Sequence, residues 1–282
     1  LGLNTLLVNT TGTSNVAVGS QALDANTTGS FNVAMGVNAL GSNTTAEHNT
    51  AIGNNSLSAN TTGTDNTAVG AGALDAVTTS SFNTAVGRNA LGATTGEGNT
   101  GVGRESLSAN TTGASNTAVG KSCMGSLTTA DNNVAMGDAA MLSNTTGANN
   151  TAIGRSALLL NTTGNANVAV GTLSLDANTT GASNTAIGYT SLSGCTTGIE
   201  NTTLGYAAGD NITTGSQNIC IGNGPNPSTA SAQEQIIIST GSTNGAGDNT
   251  VRFGTDTGSL FIALDNSTTD WTKSSDVRLK EN

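Results

Sequence analysis

Asn15-Val16-Ala17-Val18-Gly19 is the first clear copy of a pentapeptide that recurs thirteen times along the 282-residue chain. Successive copies lie 17 residues apart, except for one step of 16 residues between Asn83 and Asn99. The copies open at Asn15, Asn32, Asn49, Asn66, Asn83, Asn99, Asn116, Asn133, Asn150, Asn167, Asn184, Asn201 and Asn218. Self-similarity at a short fixed period is typical of a solenoid, in which each repeat is one stacked coil. We therefore predict an all-β chain that forms a parallel β-solenoid with 17-residue coils.

Each pentapeptide has the alternation of a short β-strand. The residue after Asn is Val, Thr or Ile, the next is usually Ala, and the fourth is always Val, Ile, Met or Leu, followed by Gly. β-Branched residues with period 2, bounded by Gly, favour a strand. We expect the two larger residues to form one face, directed at the core. Asn, Ala and Gly then form a second, tighter face.

The rest of each repeat predicts a second short strand and two turns. A small residue and Leu follow the pentapeptide, as in Ala22-Leu23, and the Leu is expected in the core. An Asn-Thr-Thr-Gly turn follows, as at Asn26 to Gly29. We expect both the pentapeptide Gly and the turn Gly to have positive φ angles, which Gly adopts at little cost.

Stacked coils place identical residues above one another, so the thirteen pentapeptide asparagines should form a ladder of side-chain hydrogen bonds. We interpret these asparagines as structural, without a ligand role. Few apolar side chains are available per coil, and ordering 17 residues of backbone costs conformational entropy. We therefore expect the tight Ala and Gly face to pack on partner chains, which makes the protein a homo-oligomer.

Composition excludes several classes of function. The net charge is −10 and aromatic residues make up 2 % of the chain, which argues against nucleic-acid binding. No apolar run approaches membrane-spanning length, so we expect no membrane insertion. The charges that follow the pentapeptide Gly, at Arg88, Arg104, Lys121, Asp138 and Arg155, indicate an exposed corner.

No group of residues predicts catalysis, a metal site or a cofactor. His48 is the only histidine and occupies a variable, solvated corner. Asp24, Asp75 and Asp176 recur in only some copies, and we interpret them as a solvated edge. Cys123 and Cys220 replace small residues of the repeat and Cys195 replaces a turn Asn, with no spacing for disulfides or zinc. We expect no enzymatic activity, apart from the self-cleavage described below.

The paired threonines, such as Thr27-Thr28, suggest one alternative function. A regular file of Thr on a β-solenoid is what ice-binding proteins display. Adjacent strand residues point to opposite faces, so each pair offers only one outward Thr per coil. A turn role is therefore favoured, and ice binding stays open.

The repeat resembles a known architecture. Asn-(Val/Thr)-Ala-(Val/Ile)-Gly followed by a small residue and Leu is similar to the left-handed parallel β-roll of trimeric autotransporter adhesin heads, whose repeat is shorter. Similar arrays occur in phage tail fibres. This resemblance implies a homotrimer, and it covers residues 1–222.

A second resemblance lies at the end of the chain, in Ser274-Ser275-Asp276-Val277-Arg278-Leu279-Lys280-Glu281-Asn282. This stretch is similar to the start of the intramolecular chaperone domain of endosialidase-type tailspikes and many phage tail fibres. The family cuts a Ser-Asp bond here autocatalytically after the trimer folds. The resemblance implies an autocleavage junction between Ser275 and Asp276, with almost all of the chaperone domain missing.

These observations predict three regions. Residues 1–222 form the β-solenoid shaft. Residues 223–275 form a short β neck with three strand-like runs, 235–238, 250–253 and 260–264, after Pro225 and Pro227 end the array. Residues 276–282 begin the chaperone domain.

The favoured function is a structural and receptor-binding fibre of a phage, located in the virion and used for host attachment. Its expected partners are two further copies of itself and a host cell-surface receptor, for which a glycan is one candidate. A bacterial trimeric surface adhesin head, which would be extracellular, is the alternative, and ice binding is the third.

Overall fold

One continuous β-sheet runs through the chain. The structure is a computed structural model, and it describes residues 2–242, 244–255 and 258–263. Sixteen strands pair in chain order, and the first fifteen are parallel, giving about 14 turns of a β-solenoid with about 17 residues per coil. The strands are β1 Val16–Val18, β2 Val33–Met35, β3 Thr50–Ile52, β4 Thr67–Val69, β5 Thr84–Val86, β6 Thr100–Val102, β7 Thr117–Val119, β8 Val134–Met136, β9 Thr151–Ile153, β10 Val168–Val170, β11 Thr185–Ile187, β12 Thr202–Leu204, β13 Ile219–Gly222, β14 Ile236–Ser239, β15 Thr250–Thr255 and β16 Gly258–Ala263. The predicted parallel β-solenoid is confirmed.

Each coil contains one strand where two were expected. The first thirteen strands begin directly after the pentapeptide Asn, and like residues pair with like, as Ala17 does with Ala34. The predicted second strand around the core Leu is instead a series of turns. Its Leu has a positive φ in nearly every coil, as at Leu40 (φ 51°). The sequence did not indicate this because a left-handed Leu costs about 1–2 kcal/mol and is unusual.

The two strand faces are the reverse of the expectation. The pentapeptide Ala and Asn are buried, with Ala34 and Asn32 both 0 % exposed, whereas Met35 is 42 % exposed. The core Leu, such as Leu40, fills the interior as predicted. Because that Leu occupies a narrow coil, only small residues fit opposite it. The tight face is therefore inside the coil, and it does not contact a partner chain.

The two glycines of each repeat have different roles. The pentapeptide glycines have φ between 128° and 145°, as predicted. A Cβ at Gly87 would lie 2.5 Å from the carbonyl oxygen of Gly103 in the next coil. The turn glycines, such as Gly29, do not have positive φ, so that expectation was wrong. Ala46 stands at the equivalent place in the next coil.

The prolines do not end the array. β14 pairs in parallel with β13 and β15 with β14, beyond Pro225 and Pro227. β16 then folds back antiparallel to β15. The runs 235–238, 250–253 and 260–264 coincide with these three strands, except that Leu264 lies outside the described residues. The end of the proposed neck and the segment 276–282 also lie outside them.

Candidate interaction surface

The thirteen predicted asparagines lie in one buried column, here called the core ladder. Each side-chain oxygen accepts a hydrogen bond from the backbone amide of the next coil's Asn, as Asn32 Oδ1 does from Asn49 N at 3.0 Å. Each side-chain amide generally donates to a carbonyl 14 residues on, as Asn49 Nδ2 does to Gly63 O at 2.8 Å. Gln235 continues the column after Asn218. These bonds satisfy polar groups inside the coil, so the column holds the coils together and offers nothing to a ligand.

A second buried column, the turn ladder, was not anticipated. It consists of the first residues of the Asn-Thr-Thr turns, which are buried except for Asn9: Asn9, Asn26, Asn43, Asn60, Asn110, Asn144, Asn161 and Asn178. Most of the Nδ2 atoms donate to the preceding coil, for example Asn43 to Asn26 Oδ1 at 3.0 Å. The column is interrupted by Val77 and Thr94 in consecutive coils, by Leu127 and by Cys195. The side-chain oxygen directly before each interruption, on Asn60, Asn110 and Asn178, is buried without a partner.

The exposed face of the strands carries a continuous line of apolar side chains, here called the apolar ridge. One comes from each of the fifteen parallel strands: Val18, Met35, Ile52, Val69, Val86, Val102, Val119, Met136, Ile153, Val170, Ile187, Leu204, Ile221, Ile238 and Phe253. Ten of the fifteen are between 37 and 51 % exposed. The ridge ends in an open apolar groove of about 600 Å³, lined among others by Ile221, Ile238, Phe253 and Leu260.

Opposite charges flank the ridge. Along the side of the ridge where each strand ends lie four exposed cations, here called the basic edge: Arg88, Arg104, Lys121 and Arg155. Asp138 lies among them. Along the opposite side, where each strand begins, lie seven exposed carboxylates and no Lys or Arg. These carboxylates, here called the acidic edge, are Glu47, Asp65, Glu97, Asp131, Glu200, Glu234 and Asp248. Within the basic edge, Arg104 forms an ion pair with its neighbour Glu105 at 3.3 Å.

Aromatic residues extend the columns of both edges. His48 is exposed, as predicted, and its ring stacks on Phe31 of the preceding coil with centroids 5.2 Å apart. Tyr189 and Tyr206 stack at 5.6 Å in the column of the basic edge. These contacts follow from the vertical alignment of equivalent residues.

The remaining candidate groups are buried or partly buried. Cys123, Cys195 and Cys220 are free and 0 % exposed, and burial raises the pKa of their thiols to about 12, 11 and 12. Asp24, Asp75 and Asp176 are half-buried, which corrects the expected solvated edge. Burial raises the pKa of Asp75 and Asp176, outweighing backbone hydrogen bonds that lower it.

Each Thr pair divides between structure and surface. The first hydroxyl donates to the next coil, as Thr27 Oγ1 does to Thr44 O at 3.0 Å, and the second Thr, such as Thr28, is exposed. Each such coil therefore presents one exposed Thr.

The residues of the predicted autocleavage junction, Ser275 and Asp276, lie outside the described residues. Across the described part of the chain there is no cluster of His, Cys, Asp and Glu suited to a metal, and no helix long and apolar enough to cross a membrane.

Comparison with known proteins gives no relative. No family model, no curated protein and no solved structure matches the chain. The apolar ridge with its two charged edges is the candidate interaction site.

Proposed function

We propose that the chain is the shaft of a homotrimeric phage tail fibre or a comparable virion appendage, assembled along the apolar ridge. The ridge is the observation that carries the proposal. Fifteen strands spaced about 4.8 Å apart, each about 10 Å wide, give a band on the order of 700 Å². The band contains the ridge and a second outward column, which is Thr in eight of the fifteen strands and Val or Ile in the others. A standard interface buries about 800 Å² per partner, so the band has the size of one.

The regular spacing of the ridge indicates which molecule packs against it. A ridge that repeats at every coil matches a partner with the same coil spacing, and a second copy of this chain has that spacing. The resemblance of the repeat to trimeric adhesin heads supports three copies around one axis. The C-terminal resemblance supports a phage fibre over a bacterial adhesin, since it belongs to fibre chaperones. Attachment to a host receptor, with a glycan as one candidate, belongs to this proposal.

The assembly is tested by placing charge on the ridge. Met136→Lys with Ile153→Lys should give a monomer in analytical ultracentrifugation, because both lysines would be buried at the interface. Thr146→Lys with Thr163→Lys adds the same charge at exposed turns and should leave the assembly intact. If the ridge variant keeps the mass of the wild type, the ridge is not the interface.

The processing step has its own test. The chain is expressed together with whatever its gene encodes after Asn282, with and without Ser275→Ala. The wild type should yield a product ending at Ser275 on denaturing gels, and the variant should stay uncut. Equal product sizes would remove autocleavage from the proposal and leave the shaft assignment unaffected.

A further inference from the structure

The basic edge stacks like charges at close spacing. Arg88, Arg104 and Lys121 occupy equivalent positions in three consecutive coils, with Arg155 two coils further on. Equivalent residues of neighbouring coils lie about 4.8 Å apart, and like charges directly opposite each other across strands are destabilising. Within the basic edge only Arg104 has an ion-pair partner, Glu105. The other cations of this edge are therefore available to carboxylates of another molecule.

The acidic edge repeats the situation with the opposite sign. Glu47, Asp65 and Glu97 are exposed. Glu97 lies in the same coil as Arg104, whereas Asp65 and Glu47 lie one and two coils before that of Arg88. Asp131 and Asp248 also serve the fold, since they accept backbone hydrogen bonds from Ala114 and Gln233. The residues of the two edges are six or seven positions apart on opposite sides of the strand, an extended span of about 20–23 Å at 3.3 Å per residue. The ion pair of Arg104 is with its neighbour Glu105 and does not join the two edges.

Symmetry decides which edges meet when two ridges pack together. If the symmetry axis is parallel to the solenoid, as in a cyclic trimer, the interface is heterologous and the basic edge of one copy lies beside the acidic edge of the next. If two copies pack antiparallel, the basic edge of one copy lies beside the basic edge of the other, and the two acidic edges also lie side by side. We infer that the charged edges make the copies associate in parallel, with the basic edge of each copy on the acidic edge of its neighbour.

A second copy fits better than an anionic polymer. The carboxylates of the acidic edge lie beside seven of the fifteen strands, Asp138 interrupts the basic edge, and the chain carries a net charge of −10, so a polyanion would be repelled. The inference deepens the proposed self-association and rests on it.

The charge pairing is tested by reversal and rescue. Arg88→Glu/Arg104→Glu/Lys121→Glu alone, or Glu47→Lys/Asp65→Lys/Glu97→Lys alone, should raise the dissociation constant of the assembly at least tenfold at low salt. The loss should shrink in 1 M salt, which screens exposed charges beyond about 3 Å. A chain carrying all six changes should regain the wild-type constant. Thr112→Glu/Thr146→Glu/Thr163→Glu, away from the ridge, is the control and should have little effect.

The orientation is measured directly. A spin label on Asn54→Cys lies in the column of the basic edge, in the third coil, and the three native thiols are buried and do not compete for label. Parallel copies place equivalent labels at the same height, within about 30 Å. Antiparallel copies separate them by more than about 40 Å along the axis, because the label then faces a coil about nine coils away.

The outcomes separate the two proposals. A wild type that is monomeric overturns the proposed function and this inference with it. An assembly that ignores both sets of reversals overturns this inference alone, whereas an antiparallel assembly also overturns the proposed trimer, because three copies around one axis must be parallel. A third outcome would show that the basic edge binds a polyanion. In that case the assembly is insensitive to charge reversal, and heparin binds the wild type but not the Arg88→Glu/Arg104→Glu/Lys121→Glu variant.

Discussion

At the scale of single residues, the inside of this solenoid is decided by size. Ala34 is buried and Met35 exposed, although hydrophobicity favours the opposite arrangement. The period of two in the sequence predicted the strand correctly and could not say which face turns inward. The missing information was the left-handed turn at Leu40, which brings a large side chain into the coil and leaves room only for Ala and Asn opposite.

The pentapeptide glycine is expected to be irreplaceable. Gly87→Ala should lower the free energy of unfolding by about 3 kcal/mol, because its Cβ would meet the Gly103 carbonyl at 2.5 Å and φ is 137°. Gly92→Ala in the same coil is the control. Its nearest contact would be 3.4 Å, so the change should stay within about 0.5 kcal/mol. Chemical denaturation measures both, and equal losses would contradict the argument.

The broken turn ladder predicts a stabilising substitution. Val77→Asn should raise the free energy of unfolding by about 1 kcal/mol, because its amide can donate to the unpartnered Asn60 Oδ1 and its oxygen can accept from the Thr94 hydroxyl. Cys195→Asn is the control. Its amide can donate to Asn178 Oδ1, but its own side-chain oxygen then faces Ile212 and is left without a donor. No gain is expected there. A Val77→Asn chain less stable than the wild type would count against the ladder.

Asp176 predicts a pH dependence. Burial raises the pKa of its carboxyl above the unfolded value, and its Oδ1 has no partner. The folded state therefore holds the proton more tightly, and stability falls as pH rises from about 4 through the folded pKa, remaining lower at pH 7. Asp176→Asn should raise the melting temperature at pH 7 and have little effect at pH 3. A variant equally stabilised at both values would contradict this origin.

At the scale of elements, the coil is the unit that the sequence specifies. The 17-residue period, the strand positions and the column of Asn could all be predicted, because each is a regular repeat of the amino-acid sequence. The extension through β14 and β15 could not, since Gln235 and Thr250 replace the marker Asn and the prolines suggested an end. The 16-residue coil keeps Thr84 in register with Thr100, so its missing residue is absorbed in the turn.

Whole coils should therefore be removable. Deleting residues 117–133, one full period, joins Asn116 to Val134 and preserves every column. The product should unfold cooperatively, with a melting temperature only a few degrees lower, because stability is a sum over neighbouring repeats. Deleting residues 117–125 shifts the columns and should abolish cooperative unfolding in circular dichroism. Similar behaviour of the two deletions would show that register is not what holds the stack.

At the scale of the whole molecule, the exposed apolar ridge is the feature from which we propose self-association. The thin core predicted a partner chain, and this stays a prediction; the face proposed to meet the partner could not be predicted, because the strand period does not say which face lies inside the coil. That face carries Val18 and Met35, with positive charge along one side and negative charge along the other. The arrangement favours neighbours of the same kind, side by side and pointing in one direction.

Sedimentation equilibrium of the complete chain tests this account most directly. The mass should be three times the 27.6 kDa of one chain at micromolar concentration, and it should fall to one chain in the Met136→Lys/Ile153→Lys variant. A wild type that sediments as a single 27.6 kDa species up to the highest concentration reached would contradict the account, because the ridge would then be an ordinary solvated surface.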